Sequence, residues 1–333
     1  MNVAAAVVVA LATAAAAISG QAGEPQSQQR GNVFRSGSSL VALNVTVQDD
    51  GQKYIGGLQS GDFAVFEDGV RQNVQFFEST AVPIDLIVLI DQSSSMNDKL
   101  DVVHDAASGF LKTLREDDRG AVVGFADRVT VLQPLTADRA LLEQAVRTTT
   151  AKGSTALNNA VYIALKQFGQ SAHSGRGVRR QAIVVLSDGE DTSSLVTFDD
   201  VLALARTTGV NIYTVGLQSK IALRQPVTRK YLSDADLAMK MLARETGGLS
   251  FFPQTGDLKA VYGSIAAELA SQYSIGYAPA NPRPDGRFRR IVVQVVTRPS
   301  LHPRTRQGYT PDAVGTSALA LGAGGGQPRD EQR

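Results

Sequence analysis

The segment Ile84-Asp85-Leu86-Ile87-Val88-Leu89-Ile90 constrains this chain most, because it is almost uninterruptedly apolar and stops abruptly at Asp91. Runs of this kind belong to strands covered on both faces, as inside a parallel sheet. Parallel strands need crossovers, and the sequence supplies them. Leu100, Val103, Ala107, Phe110, Leu111 and Leu114 recur at helical spacing, and Gly120 to Phe125 forms a second apolar run. Val129 and Val131 alternate directly after it and predict a short antiparallel edge strand. Helical patterns follow at Leu141 to Val146, Leu157 to Phe168, Phe198 to Ala205, Leu237 to Ala243 and Leu258 to Leu269, with strands at Ala182 to Leu186 and Val210 to Val215. This alternation, over residues 81–272, predicts an α/β domain with a doubly wound, mostly parallel sheet and helices on both faces.

Two flanks carry a different period. Within residues 36–80, Val41, Leu43, Val45 and Val47 alternate, as do Phe63 and Val65 beside Phe66, then Val74 and Phe76 beside Phe77. Asp49-Asp50-Gly51 and Glu67-Asp68-Gly69 read as hairpin turns, since Asp and Gly tolerate positive φ. In residues 273–310, Tyr273, Ile275 and Tyr277 alternate, then Ile291, Val293 and Val295, across a loop holding Pro279, Pro282, Pro284 and Asp285-Gly286. That pattern reads as a β-hairpin. Neither flank is large enough to bury a core alone. The two are therefore expected to pair into one small β-sandwich, with the α/β domain inserted between them.

Val3 to Ile18 are nearly all Ala, Val, Leu and Ile, followed by the small residues Ser19, Gly20 and Ala22. Residues 1–22 therefore read as a secretory signal peptide, although no Lys or Arg precedes the apolar run. Residues 23–35 read as a polar linker, and residues 311–333, with glycines at 322 and 324–326, as a disordered tail. The expected location is extracytoplasmic, with no stable membrane anchor after cleavage. Net charge is +1, from 33 Lys and Arg against 32 Asp and Glu, so no global field draws the chain to nucleic acid. Cysteine is absent, which excludes disulfides, thiolate metal sites and cysteine nucleophiles.

The candidate site lies where strands end. Asp91-Gln92-Ser93-Ser94-Ser95 follows the first buried strand, at the edge where open α/β sheets bind ligands. Alone, Ser95 and Asp98 also fit a capping box for the next helix. Gly153-Ser154-Thr155 opens a later helix, and Ser187-Asp188-Gly189 closes another apolar strand at the same edge. Three hydroxyls and two carboxylates make a hard, all-oxygen set that suits Mg²⁺ or Mn²⁺ better than Zn²⁺. Two carboxylates neutralise a divalent cation, so an open position favours one more anionic oxygen from outside.

These three segments, in this order, resemble the von Willebrand factor type A domain and its metal-ion-dependent adhesion site, over about Val82 to Gln272. The resemblance implies that Ser93, Ser95 and Thr155 ligate the metal directly, that Asp91 and Asp188 do so directly or through water, and that an exposed Asp or Glu of a protein partner completes the shell. Family members usually have Gly where this chain has Ser94 and often Asp at Asn159; neither position is a ligand. Asp62-Phe63, Glu67-Asp68-Gly69 and Tyr273 to Tyr277 resemble exported type A proteins of Acidobacteria.

Other chemistries fit less well. Serine catalysis needs a base, and His104, His173 and His302 fall in a helix pattern, a loop and the C-terminal β region, away from the strand ends. Gln92 to Ser95 contains no glycine for a dinucleotide turn. Glu190 and Asp191 read as a solvated loop, and Arg176, Arg179 and Arg180 as a solvated basic patch. The expected function is an exported, non-enzymatic, Mg²⁺-dependent protein-binding module. The alternatives are an accessory subunit of an AAA+ or chelatase-type assembly, or a structural sandwich with a stabilising metal.

Overall fold

The structure is a computed structural model that describes residues 40–79, 82–171, 179–188, 190–217 and 233–311. The signal, linker and tail assignments, His173 and Arg176 lie outside these residues, save Pro311 of the tail. Four strands come first: β1 (Val41–Gln48), β2 (Phe63–Glu67), β3 (Val70–Gln72) and β4 (Val74–Glu78). The α/β part runs β5 (Ile84–Asp91), α1 (Leu100–Leu111), β6 (Arg119–Phe125), β7 (Val129–Thr136), α2 (Arg139–Arg147), α3 (Leu157–Ser171) and β8 (Arg180–Ser187). It continues with α4 (Phe198–Thr208), β9 (Asn211–Gly216), α5 (Asp234–Thr246), β10 (Ser250–Phe251) and α6 (Leu258–Ser271). The chain closes with β11 (Tyr273–Tyr277), β12 (Arg289–Val295), β13 (His302–Arg304) and β14 (Gly308–Tyr309).

The six-stranded sheet has the order β10-β9-β8-β5-β6-β7, parallel throughout except that β7 runs antiparallel to β6. Every residue of β5 is buried, because alternate side chains enter two separate cores. Leu86, Val88 and Ile90 pack with α1 and α6 residues such as Phe110 and Ile265, while Ile87 and Leu89 pack with Val161 of α3 and Val201 of α4. This is why the sequence shows no polar face there. The chain leaves β5 for β6 on one side and later returns to β8 on the other. The C-terminal end of β5 is thus the topological switch point, where the crevice of such a sheet lies.

The flanks form two four-stranded sheets, β13-β1-β11-β4 and β14-β12-β2-β3, each holding strands from both ends of the chain. Leu43, Val45, Phe63, Val65, Tyr273, Tyr277, Ile291 and Val293 share the core between them. The Glu67-Asp68-Gly69 turn forms as expected, with φ of 48° at Asp68 and 81° at Gly69 joining β2 to β3. In the turn after β1 the positive φ, 61°, falls on Gln52 instead. The expected hairpin between β11 and β12 does not form. β11 pairs with β1 and β4, and β12 pairs with β2 and β14 in the opposite sheet. The intervening prolines lack the N–H groups of a hairpin ladder and carry the chain across the sandwich instead.

The sandwich is fastened to the α/β part by buried polar contacts. Glu268 of α6, fully buried, accepts from Tyr213 Oη (2.7 Å) and Tyr54 Oη (3.3 Å) and pairs with Arg304 (2.5 Å). Asn44 Nδ2 donates to Asn211 Oδ1 at 2.6 Å. Gly247 ends α5 with φ of 81°, and a side chain there would collide with the backbone of Thr305 and Arg306. At this same end of the sheet, the N-terminal end of the parallel strands, Arg179 and Arg180 are not a solvated patch. Arg179 and Arg119 pair with buried Asp85, and Arg180, itself buried, donates to the carbonyls of Val82 and Gln272. Burial, with Arg115 nearby, lowers the Arg180 guanidinium to about 10.

Candidate metal centre

Asp91 is the last residue of β5 and is fully buried. Its Oδ1 accepts the backbone N–H of Ser93 at 2.7 Å, and its Oδ2 accepts the Ser187 hydroxyl at 2.5 Å. Burial pushes the Asp91 carboxyl up, against these hydrogen bonds, and the nearby charge of Asp188 adds to the rise. A buried carboxylate next to another is a place where added positive charge is favourable.

The Asp91 to Ser95 segment turns through a short 3-10 turn at Ser94–Met96. Ser95 does not cap α1: the helix starts at Leu100, with Lys99 at the cap position and no side-chain cap bond. Instead the hydroxyls join a polar chain. Ser93 Oγ lies 3.0 Å from Ser95 Oγ, and Ser95 Oγ donates to Asp188 Oδ1 at 2.7 Å. Asp188 follows β8, so two parallel neighbours deliver Asp91 and Asp188 to the same edge.

The third segment is tied to the first by backbone. Lys152 N–H donates to Gln92 O (2.6 Å), Ser94 N–H donates to Gly153 O (3.0 Å), and Gly153 N–H donates to Ser94 Oγ (3.1 Å). Gly153 has φ of +87°, and an added side chain would press into the Asp127 carboxylate, which holds Ser154 N–H at 2.8 Å. Thr155 is buried just before α3, and its carbonyl accepts from the N–H groups of Thr192 and Ser193. The structure thus brings the loops of all five sequence-derived residues, Asp91, Ser93, Ser95, Thr155 and Asp188, to one edge. Direct side-chain bonds link Ser93, Ser95 and Asp188.

Several supporting residues escaped sequence reading. Asp127 follows β6 at the same edge, a signal of position that also marked Asp91 and Asp188. Asp191 is not merely solvated: it accepts from the N–H groups of Asn158 and Ser194. Asn159 Oδ1 accepts from Leu195 and Val196 N–H, 3.1 Å each, and fixes that loop. Lys99 had no local signal. It is 5% exposed, and its ammonium bonds to Asp188 Oδ2 and to Ser95 O (3.3 Å). His104 bonds Thr149 at 2.6 Å and His302 pairs with Asp50 at 2.8 Å, both through contacts outside this centre.

The donor set fits a hard divalent cation. All candidate donors are oxygens, and the Ser93–Ser95–Asp188 chain already gathers two hydroxyls and a carboxylate within hydrogen-bond distance. Among the described residues no three His, Asp or Glu side chains are grouped to hold a metal. A centre of two carboxylates with hydroxyls does not require such a group.

The family model of the von Willebrand factor type A domain matches residues 85–254, about half of the chain. An uncharacterized Synechocystis protein is 30% identical over 113 residues, covering 33% of this chain and 26% of that protein. An uncharacterized Borreliella burgdorferi protein is 28% identical over 145 residues, covering 40% of this chain and 41% of its own. The chain thus spans well under half the length of these curated relatives. Among solved structures, a von Willebrand factor type A protein from Catenulispora acidiphila superposes with TM-score 0.49 at 15% identity, covering 84% of this chain and 65% of that one. The corresponding domain of the type V pili tip protein Mfa5 from Porphyromonas gingivalis gives TM-score 0.43 at 16% identity, covering 56% and 95%.

Proposed function

Because the chain belongs to the von Willebrand factor type A domain family, we propose that its switch-point crevice is a metal-ion-dependent adhesion site. In this reading the protein is a non-enzymatic binding module that uses Mg²⁺ or Mn²⁺ to hold an Asp or Glu of a partner protein. The observation that carries this is the hydrogen-bonded chain Ser93–Ser95–Asp188 at the ends of two parallel strands. When bound, the cation supplies Lewis acidity for one anionic oxygen of the partner. Ser93, Ser95 and Thr155 offer hydroxyl oxygens to it, and Asp188 offers Oδ1. Asp91, with both oxygens engaged, stands behind them and holds the Ser93 backbone in place.

The signal-like Val3 to Ile18 run and the resemblance of the flanks to exported type A proteins support a location outside the cytoplasm. No helix among the described residues is long and apolar enough to cross a membrane. The test is calorimetric titration with Mg²⁺, followed by partner capture from envelope extract with and without chelator. One saturable site in wild type, absent in Asp188→Ala, together with chelator-sensitive capture, is the expected result. Recovery of the same partners by Asp188→Ala and by chelated wild type would overturn the reading.

A further inference from the structure

We infer that Lys99 is a resident cation of this centre, which keeps its affinity for a divalent metal low until an anionic ligand arrives. The inference rests on the adhesion-site reading above and concerns a residue that is not itself a metal ligand. Lys99 is placed against ordinary preferences. Its side chain is 6% exposed, although lysine is seldom buried unpaired. It also occupies the N-cap of α1, directly before Leu100, where the helix dipole disfavours a cation. What holds it there is Asp188, whose side chain is 1% exposed, with the Ser95 carbonyl as a second acceptor.

The two oxygens of Asp188 do different work. Oδ1 accepts the Ser95 hydroxyl, on the side of the serine chain, and Oδ2 takes the Lys99 ammonium. The carboxylate can therefore face a metal with Oδ1 while Oδ2 stays paired. Charge then decides the ligand. With Asp91 and Asp188 alone a divalent cation is neutralised, and a partner carboxylate taken up at the open position would leave the centre one unit negative. With Lys99 present, the loaded centre carries one net positive charge, and a single carboxylate from a partner restores neutrality. Metal and anion should accordingly bind with mutual reinforcement.

The experiment is calorimetric titration with Mg²⁺ alone, at constant ionic strength, of wild type, Lys99→Met and Lys99→Arg. Removing a unit charge a few ångströms from a divalent ion tightens its binding by on the order of tenfold even at high effective dielectric. Lys99→Met should show that gain, and Lys99→Arg, which keeps the charge, should stay near wild type. Lys99→Gln replaces Lys99→Met if circular dichroism shows that variant unfolded. A second measurement repeats the wild-type titration in acetate instead of chloride, where Mg²⁺ affinity should rise, and rise less in the charge-removed variant. Equal or weaker Mg²⁺ binding by the folded, charge-removed variant would overturn the inference while leaving the adhesion site standing. Absence of Mg²⁺ binding in both wild type and variant would remove the adhesion-site reading and this inference with it.

Discussion

Glu268→Gln tests whether the sandwich and the α/β part are held by one buried carboxylate. The substitution keeps shape and one acceptor but removes the charge. Glu268 is fully buried, accepts the Tyr213 hydroxyl at 2.7 Å and the Tyr54 hydroxyl at 3.3 Å, and pairs with Arg304 at 2.5 Å. Hydrogen bonds to charged groups contribute about 1.5–3 kcal/mol, and removing one partner of a buried pair costs about 3–5 kcal/mol. Arg304 is 24% exposed and also donates to the carbonyls of Gly247 and Gly248, so it recovers part of its loss. The working value is therefore about 3 kcal/mol. At roughly 2–4 °C per kcal/mol for a unit of this size, Tm falls by roughly 6–12 °C. The assay is thermal unfolding by far-UV circular dichroism in chelator, with Arg304→Met and the double variant alongside. Coupling of about 1 kcal/mol or more between the two positions is expected. A shift below about 2 °C, or strict additivity, would refute the argument.

Three other perturbations have calculable signs. In chelator, Asp91→Asn should melt no lower than wild type above neutral pH, because burial raises the Asp91 carboxyl and penalises its charged form. That advantage shrinks as pH falls through the raised value and wild type takes up a proton, and the Mg²⁺-induced rise in Tm should vanish in the variant; melts at two pH values, with and without Mg²⁺, check both signs. Gly153→Ala combines a φ of +87° with displacement of Asp127 from Ser154 N–H, a cost of roughly 2 kcal/mol, and should weaken Mg²⁺ binding in calorimetry as well as lower Tm. Burial raises Tyr54 and Tyr309 to about 12, beside Glu268 and Glu67 respectively, and raises Tyr213, beside Glu268, well above its ordinary value. A tyrosine raised above its unfolded value of about 10 keeps its stabilising effect below that pH and loses it as pH climbs toward 12. Phenolate absorbance should therefore lag a free-tyrosine curve until the fold gives way, and a simple titration centred near 10 for all of them would contradict the burial argument.

Elements of the α/β part were legible because burial on two faces leaves a local trace. The run Ile84 to Ile90 and the helical spacing from Leu100 each follow from what a strand or helix must hide within a few residues, whereas the alternation at Val129 and Val131 marks an edge strand whose Val131 is exposed. β11 and β12 show where that logic stops. Both alternate correctly, yet local period says nothing about which partner a strand takes, and Tyr273–Tyr277 pairs with Val41–Val45 from the far end of the chain. Two-residue strands such as β10 and β14 are too short to carry any period at all.

The centre divides along the same line. Asp91 and Asp188 could be picked out because each ends an apolar strand, and Asp127, after β6, obeyed the same rule without being selected. Lys99 obeyed none: a lysine shortly before a helix ordinarily lies in solvent, and its partner Asp188 is 89 positions away. Oxygen donors are thus readable from strand ends, whereas the charge that those donors present depends on a pairing across chain-distant loops. In the proposed adhesion site, the inferred preference for a carboxylate therefore rests on Lys99 as well as on the motif. A relative keeping Asp91, Ser93, Ser95, Thr155 and Asp188 with a neutral residue at position 99 should accordingly bind Mg²⁺ more tightly and gain less from a carboxylate.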